Sequence, residues 1–171
     1  QREAYLKEGV VSAETRIDRL QRAVDVLIKY NEKVVDALNT DFTCRPREVT
    51  LITDIGAGVA PLKHAIKHVR SWMKPEKRPA TFPFNLLGAR ARIEYQPLGV
   101  VGIIAPWNFP VNMVFAPLAG VLAAGNRAMI KPSEFTPATS ALMVEMIAEA
   151  YDPKEVAIFD GGPEVGQAFS S

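Results

Sequence analysis

Apolar residues recur every three or four positions in the first part of the chain, which is the spacing of amphipathic helices. One apolar stripe runs from Ser12 to Asn39, and a second runs from Ile52 to Met73 and stops before Pro75. We predict that the two helices pair as a hairpin. A kink or a split is expected near Pro61, because a proline inside a helix removes a backbone donor and crowds the preceding carbonyl.

The pattern changes to short apolar segments in the second half of the chain. Residues 89–96 alternate between apolar and polar, which predicts a half-exposed strand, and Val100 to Ala105 is an apolar run typical of a buried parallel strand. The elements predicted next are a helix over 110–124, a strand over 127–131, a helix over 137–150, a strand over 156–160 and the start of another helix. Thr136 is the predicted amino-terminal cap of the second of these helices. This order predicts an α/β fold, in which the helical hairpin is followed by the first half of a doubly wound parallel, Rossmann-like sheet.

The chain divides into three segments on these grounds. Residues 1–88 form the helical segment with a Pro-rich connector, residues 89–99 form a strand and turn that is a candidate oligomerisation strand, and residues 100–171 form the first βαβαβα part of a nucleotide-binding domain. The start has neither an initiator Met nor a signal peptide, and the pattern provides only half of a doubly wound sheet. We therefore expect a truncated fold that belongs to a longer protein.

Composition narrows the class of protein. The 171 residues are 48% hydrophobic and 23% charged with a formal net charge of +1, as in ordinary globular proteins. The single cysteine excludes an internal disulfide and suits a reducing compartment, so a cytoplasmic location is predicted. His64 and His68 have the spacing of a helical metal pair, but Lys63 and Lys67 would repel a cation. We therefore interpret them as surface histidines and predict no metal site.

Two segments suggest partners that we do not favour. The 32 residues from Tyr95 to Asn126 carry no charge and are long enough to cross a bilayer, but their prolines and side-chain amides argue against a membrane-spanning helix. Residues 61–92 carry eight Lys and Arg against one acidic residue, with aromatic residues between them, as a nucleic-acid-binding face would. Because the pI is only about 8.0 and no nucleic-acid motif is present, we interpret this segment as a solvated helix face.

Polar and glycine residues follow the three predicted parallel strands, at the edge where such sheets bind ligands. Residues 106–110 read Pro-Trp-Asn-Phe-Pro, where a usual dinucleotide fold has a glycine-rich pyrophosphate turn. After the second strand, Glu134 can accept both hydroxyls of an adenine ribose while Lys131 donates to the same sugar. Taken singly, these features have structural explanations: a surface salt bridge, a core tryptophan, and glycines that let a helix pack. Their occurrence at three successive strand ends favours adenosine binding.

The same residues resemble a known family. The motifs at residues 106–110, 123–126 (Ala-Ala-Gly-Asn) and 131–134 (Lys-Pro-Ser-Glu), with their spacing, closely resemble the amino-terminal half of the aldehyde dehydrogenase superfamily. Trp72 to Pro75 and the connector after it are similar to the coniferyl aldehyde dehydrogenase branch. The resemblance implies oxidation of a small-molecule aldehyde, of aromatic coniferyl type, to a carboxylic acid through a cysteine thiohemiacetal and a thioester, with hydride passing to NAD. It also implies a homodimer or homotetramer, with neither nucleic acid nor membrane as a partner.

The resemblance assigns roles only where residues match. Asn108 matches the asparagine whose amide helps to form the oxyanion hole; alternatively, it caps the following helix. Lys131 and Glu134 match the pair that binds the adenine ribose, and Gly162 and Gly166 match glycines that pack near the adenine. The positions that match the cofactor cleft are, in full, Ile104, Ala105, Trp107, Lys131, Glu134, Gly162 and Gly166.

Departures from the family pattern set limits on these expectations. The family places its nucleophilic cysteine and its glutamate base further along the chain than Ser171, so we expect the 171-residue segment alone to be inactive. Cys44 precedes the cofactor strands and is not a substitute nucleophile. Glu134 accepts a free 2′-hydroxyl but repels a 2′-phosphate, which favours NAD over NADP. Two alternatives remain: a noncatalytic nucleotide-binding or assembly module, and a basic nucleic-acid-binding domain.

Overall fold

The structure is a computed structural model that describes residues 1–170. The helices are α1 (Arg2–Glu8), α2 (Ala13–Lys29), α3 (Asn31–Phe42), α4 (Arg47–Thr50), α5 (Ala57–Trp72), α6 (Asn112–Ala123), α7 (Pro137–Ala150) and α8 (Pro163–Ser170), with a π-helical turn (Leu51–Gly56) and a 3₁₀ turn (Phe84–Leu87). The strands are β1 (Glu76–Arg78), β2 (Ala91–Ile93), β3 (Val100–Ile104), β4 (Arg127–Lys131) and β5 (Val156–Ile158). Ser171, the last residue of the predicted nucleotide-binding segment, lies outside the described residues.

The predicted helical hairpin is formed by α2 and α5, which pack antiparallel. Arg70 near the end of α5 pairs with Glu14 at the start of α2. At the other end, a Cβ on Gly58 would lie 3.0 Å from Leu27 Cδ2, so the small residue permits the close approach of the two helices. The Ser12 hydroxyl accepts the Thr15 backbone N–H at 3.1 Å and caps α2.

The two apolar stripes are less regular than their spacing predicts. The first helix is divided at Tyr30, whose φ of −94° and ψ of 7° leave the helical region and whose hydroxyl donates to Glu149 at 2.9 Å. This break directs α3 towards α7. In the second stripe, the predicted split near Pro61 does not occur: Pro61 lies inside α5, which is continuous from Ala57 to Trp72, and the irregular turn is the π-helical one that precedes α5.

The parallel sheet has the order β3-β4-β5. One face carries buried side chains that share the hydrophobic core with α6 and α7; these are Ile103, Ala128, Ile130 and Val156. On the opposite face, Phe169 of α8 lies against Gly102, where an added Cβ would be 2.8 Å from its ring. The predicted α/β class with a parallel sheet is therefore confirmed. The uncharged stretch forms β3, a loop and α6, and no helix among residues 1–170 has the length and apolarity to span a membrane.

The strand predicted over residues 89–96 is shorter and more exposed than its alternation suggests. Only Ala91–Ile93 is extended, and it pairs antiparallel with β1, which lies within the segment expected to be a connector. All three residues of β2 are exposed, so the strand is not half-buried as predicted. A two-stranded ribbon has no second layer of its own, which leaves the side chains of β2 exposed within residues 1–170.

The amino terminus of α7 is capped by a distant residue rather than by Thr136. Thr136 occupies the cap position, but its side chain makes no cap hydrogen bond. Asp41, near the end of α3, accepts the backbone N–H groups of Ala138 at 3.0 Å and of Thr139 at 2.8 Å. The negative carboxylate also interacts favourably with the positive end of the α7 dipole. Through these contacts Asp41 links α3 of the helical segment to α7 of the α/β segment.

Asp41→Ala is expected to lower the free energy of unfolding by about 1 to 2 kcal/mol, because the first amides of α7 lose their acceptor. The measurement is urea unfolding of the chain. Asp36→Ala, an exposed carboxylate on the same helix, is the matched control and should change the stability by less than about 0.5 kcal/mol. Equal losses in the two variants would contradict the capping role.

Candidate functional site

The parallel register brings the ends of β3 and β4 together at the edge where the sequence predicts a ligand site. Ile104 lies opposite Lys131, and the Ala105 backbone N–H donates to the Lys131 carbonyl at 3.0 Å. Ala105 is buried, whereas Ile104 is exposed and lies on the sheet face that α8 covers in part. Strand pairing alone therefore brings together three of the predicted cofactor positions, Ile104, Ala105 and Lys131.

Lys131 and Glu134 form an ion pair at this edge. Lys131 Nζ donates to Glu134 Oε2 at 2.6 Å, and the side chains are 4% and 33% exposed respectively. The hydrogen bond from Lys131 lowers the pKa of the Glu134 carboxyl, so this group is an ionised acceptor that solvent can still reach. The salt bridge considered as a structural explanation is therefore present, with a buried cation and a carboxylate that solvent reaches.

The two glycines after β5 occupy different surroundings. Gly166 packs close to Lys131: a Cβ at that position would lie 4.0 Å from Lys131 Cε, and the lysine side chain is only 4% exposed. Gly162 lies at the start of α8, where its backbone N–H donates to Glu164 Oε1 at 3.1 Å. The structure therefore places Gly166 beside Lys131 and Gly162 beside Glu164.

Trp107 and Asn108 contact the helical segment. The Trp107 ring is half exposed and its centroid lies 6.3 Å from that of Phe42, at the end of α3. The Asn108 backbone carbonyl accepts Arg45 Nη1 at 3.0 Å, whereas its side-chain amide is exposed and has no hydrogen-bond partner among residues 1–170. Asn108 does not cap α6, which begins at Asn112 after the cap residue Val111. The amide is therefore available as a donor at the carboxyl edge of the sheet.

A buried ion pair beneath this loop was missed by the sequence analysis. Asp54, in the π-helical turn, has a fully buried side chain whose Oδ1 accepts the N–H groups of Val111 at 3.2 Å and of Asn112 at 3.3 Å. Its Oδ2 accepts Arg45 Nη2 at 2.7 Å. Burial raises the pKa of the Asp54 carboxyl, and the Arg45 charge offsets part of the rise. The only signal in the sequence is an acidic residue inside an otherwise apolar stripe.

The residues considered for metal binding and nucleophilic attack belong to the helical segment: His64 and His68 lie on α5, and Cys44 lies between Phe42 and Arg45, which contact the loop after β3. The His64 and His68 rings stack at 4.1 Å on α5, and among residues 1–170 no group of three or more His, Cys, Asp or Glu side chains is placed to hold a metal ion. Cys44 is exposed in the turn between α3 and α4. The chemistry that the site offers therefore comes from the Asn108 amide donor and from the Lys131–Glu134 pair, over which Gly166 packs without a side chain.

Comparisons with known proteins agree with this arrangement. The family model for the aldehyde dehydrogenase family matches residues 2–171. A probable coniferyl aldehyde dehydrogenase of Caulobacter vibrioides is 56% identical over 171 residues, covering 99% of this chain and 35% of the relative. A coniferyl aldehyde dehydrogenase of a Pseudomonas species is 51% identical over 170 residues, covering 99% of this chain and 34% of the relative. The chain thus spans about a third of the length of these curated relatives.

Solved structures show the same similarity. A substrate-bound AldH of Staphylococcus aureus superposes with a TM-score of 0.90 at 30% sequence identity, over 98% of this chain and 36% of that one. An NAD⁺ complex of an aldehyde dehydrogenase from Bacillus cereus superposes with a TM-score of 0.77 at 26% identity, over 93% of this chain and 31% of that one. The predicted resemblance is confirmed at the level of sequence and of fold.

Proposed function

Because the chain belongs to the aldehyde dehydrogenase family, we propose that it forms the amino-terminal part of an NAD-dependent enzyme that oxidises an aldehyde to a carboxylic acid. The observation that carries the proposal is the unpartnered Asn108 amide at the same sheet edge as the Lys131–Glu134 pair. Residues 100–170 would be the first part of the NAD-binding domain, residues 1–88 its helical support, and residues 89–99 an oligomerisation strand in a cytoplasmic homodimer or homotetramer.

The residues at the carboxyl edge fit an adenine ribose. Glu134 is ionised and partly exposed, so it can accept hydrogen bonds from both ribose hydroxyls, and Lys131 can donate to the same sugar. Gly166, which carries no side chain beside Lys131, and Gly162 would pack near the adenine. Ile104, Ala105 and Trp107 would line the rest of the cleft. When bound there, NAD supplies the hydride acceptor.

Asn108 is proposed to stabilise the aldehyde oxygen as the nucleophile attacks. Negative charge develops on that oxygen only as the thiohemiacetal forms, so a donor already aimed at it stabilises the transition state more than the bound substrate. The nucleophilic cysteine and the glutamate base are proposed to come from a part of the enzyme outside this chain. Cys44 is not proposed as a nucleophile, because it is exposed in a turn before the cofactor strands.

The proposed substrate is an aromatic aldehyde of coniferyl type. The two relatives above that are more than half identical to this chain bear that name. Aromatic side chains also surround the Asn108 loop: Trp107 packs against Phe42, and Arg45 lies over the rings of Phe42 and Phe109. An aromatic aldehyde would contact such rings favourably.

The full-length enzyme tests the proposal directly. We expect it to reduce NAD in the presence of an aromatic aldehyde and to release the carboxylic acid, whereas the 171-residue chain alone should show no turnover. Binding of NAD by the full-length protein without turnover of any aldehyde would instead support a noncatalytic nucleotide-binding module. Binding of an oligonucleotide that weakens steeply with salt would support the nucleic-acid alternative.

The full-length enzyme is expected to have a kcat/KM for NAD about tenfold or more above that for NADP, because the Glu134 carboxylate repels a 2′-phosphate. Steady-state kinetics with both cofactors measure the preference. Glu134→Gln removes the negative charge at nearly constant shape and should narrow the ratio of the two kcat/KM values. Glu48→Gln, at an exposed carboxylate of α4 outside the proposed cofactor site, is the control and should leave the ratio unchanged. A wild-type kcat/KM for NADP equal to or above that for NAD would contradict this prediction.

A further inference from the structure

The aim of the Asn108 amide depends on how its backbone is held. Its side chain has no hydrogen-bond partner among residues 1–170, so no hydrogen bond within that range fixes its direction. The backbone on both sides of Phe109 and Pro110 is held instead. Arg45 donates to the Asn108 carbonyl at 3.0 Å, and Asp54 accepts the amides of Val111 and Asn112. Both restraints come from the Arg45–Asp54 ion pair.

We propose that Arg45, anchored by Asp54, is a positioning residue that aims the Asn108 amide for catalysis. This inference rests on the oxyanion role proposed for Asn108. Arg45 does not itself touch the reacting atoms; it fixes the loop that carries the donor. Asp54 holds the other side of the same loop, so the carboxylate sets the position of the guanidinium and of the α6 amino terminus together.

The shape of the guanidinium suits this task. Nη1 donates to the Asn108 carbonyl, while Nη2 donates to Asp54 at 2.7 Å and to the Thr53 hydroxyl at 3.1 Å. The planar, rigid group therefore fixes the distance between the loop and the π-helical turn, which a single ammonium on a flexible stem does not. The Arg45 and Asp54 side chains are only 8% and 0% exposed, so water competes little for these hydrogen bonds.

Two aromatic rings fix the plane of the guanidinium. The Arg45 Cζ lies 5.0 Å from the centroid of the Phe42 ring and 5.2 Å from that of Phe109. Phe109 is the residue after Asn108, so the stacking acts on the same loop as the hydrogen bond. One side chain, that of Arg45, therefore joins the end of α3, the π-helical turn and the loop that carries Asn108.

A double-mutant cycle in the full-length enzyme tests the proposal. Arg45→Lys keeps the positive charge beside Asp54, but a single ammonium cannot reach both the Asn108 carbonyl and the Asp54 carboxylate as the guanidinium does. We therefore expect kcat to fall about tenfold while the Kd for NAD stays unchanged. In an Asn108→Ala background the same change should lower kcat no further, because the donor that Arg45 aims is already absent. Arg47→Lys, in an exposed pair with Glu32, is the matched control and should leave kcat unchanged.

Each outcome has a defined meaning. If the fold-losses in kcat of Arg45→Lys and Asn108→Ala multiply in the double variant, Arg45 acts independently of Asn108 and the inference is overturned. If Arg45→Lys does not fold, Thr53→Val removes the hydroxyl that accepts Arg45 Nη2 and donates to Asp54 Oδ2 at 3.2 Å and to the Val49 carbonyl at 2.8 Å, while it leaves both charges of the ion pair in place. It should give a smaller fall in kcat that also disappears in the Asn108→Ala background. Unchanged kcat in a folded Arg45→Lys or Thr53→Val enzyme overturns the inference. Normal kcat in Asn108→Ala overturns the oxyanion role itself, and the inference fails with it.

Discussion

Asn108→Ala is expected to lower kcat of the full-length enzyme about 10²- to 10³-fold, because the transition state loses a preorganised hydrogen-bond donor. The Asn108 amide is exposed and unpartnered among residues 1–170, so its removal breaks no hydrogen bond of the described structure. The Kd for NAD should change little, since the ribose contacts are assigned to Lys131 and Glu134. Steady-state kinetics and NAD titration on one preparation measure both quantities.

The same preparation separates this role from a structural one. Asn39→Ala, an exposed asparagine near the end of α3, is the control for loss of a surface amide and should leave kcat and the melting temperature near the wild-type values. A nearly normal kcat for Asn108→Ala, together with a lowered melting temperature, would show that this residue only stabilises the loop.

The local pattern of the sequence identified most of the α/β segment. The predicted strand 127–131 and the predicted helix 137–150 coincide with β4 and α7, and the helix predicted over 110–124 differs from α6 by a few residues. Each of these elements buries one or both faces in the core, so its apolar residues repeat with its own geometry. The polar residues at the strand ends could also be placed, because parallel strands end at one edge.

Contacts between residues far apart in the chain could not be predicted in this way. Asp41 caps a helix 97 residues later, and Asp54 caps α6 at a separation of 57 residues. A hydrophobic period describes the surroundings of its own element, and it does not say which helix end a carboxylate will meet. The position of Asn108 could thus be predicted from the sequence, but the ion pair that holds its backbone could not.

Arg19→Met is expected to lower the free energy of unfolding of the chain by about 2 to 3 kcal/mol. The Arg19 side chain is 3% exposed, and it donates to Glu155 at 2.8 Å and to Glu8 at 2.9 Å, so it links α2 to α1 and to the turn before β5. Methionine keeps much of the apolar contact but removes the buried donors. Arg22 and Arg127 still pair with these carboxylates, which keeps the loss below that of a fully isolated buried charge.

The pH dependence distinguishes this buried pair from a general packing defect. Burial acts to raise the pKa of the Glu155 carboxyl, but hydrogen bonds from Arg22 and Arg19 outweigh it and hold the pKa below the usual value of 4.5. The stabilisation is therefore complete above that pH and is lost as the pH falls through the lowered pKa. Urea unfolding at neutral and acidic pH should show that the difference in free energy of unfolding between wild type and Arg19→Met narrows in acid, where Glu155 is protonated and no longer pairs with Arg19.

Arg70→Met, which breaks an exposed pair with Glu14, is the control and should lower the free energy of unfolding by about 1 kcal/mol or less. A deficit for Arg19→Met that is the same at both pH values would mean that packing, and not the ion pair, accounts for the loss.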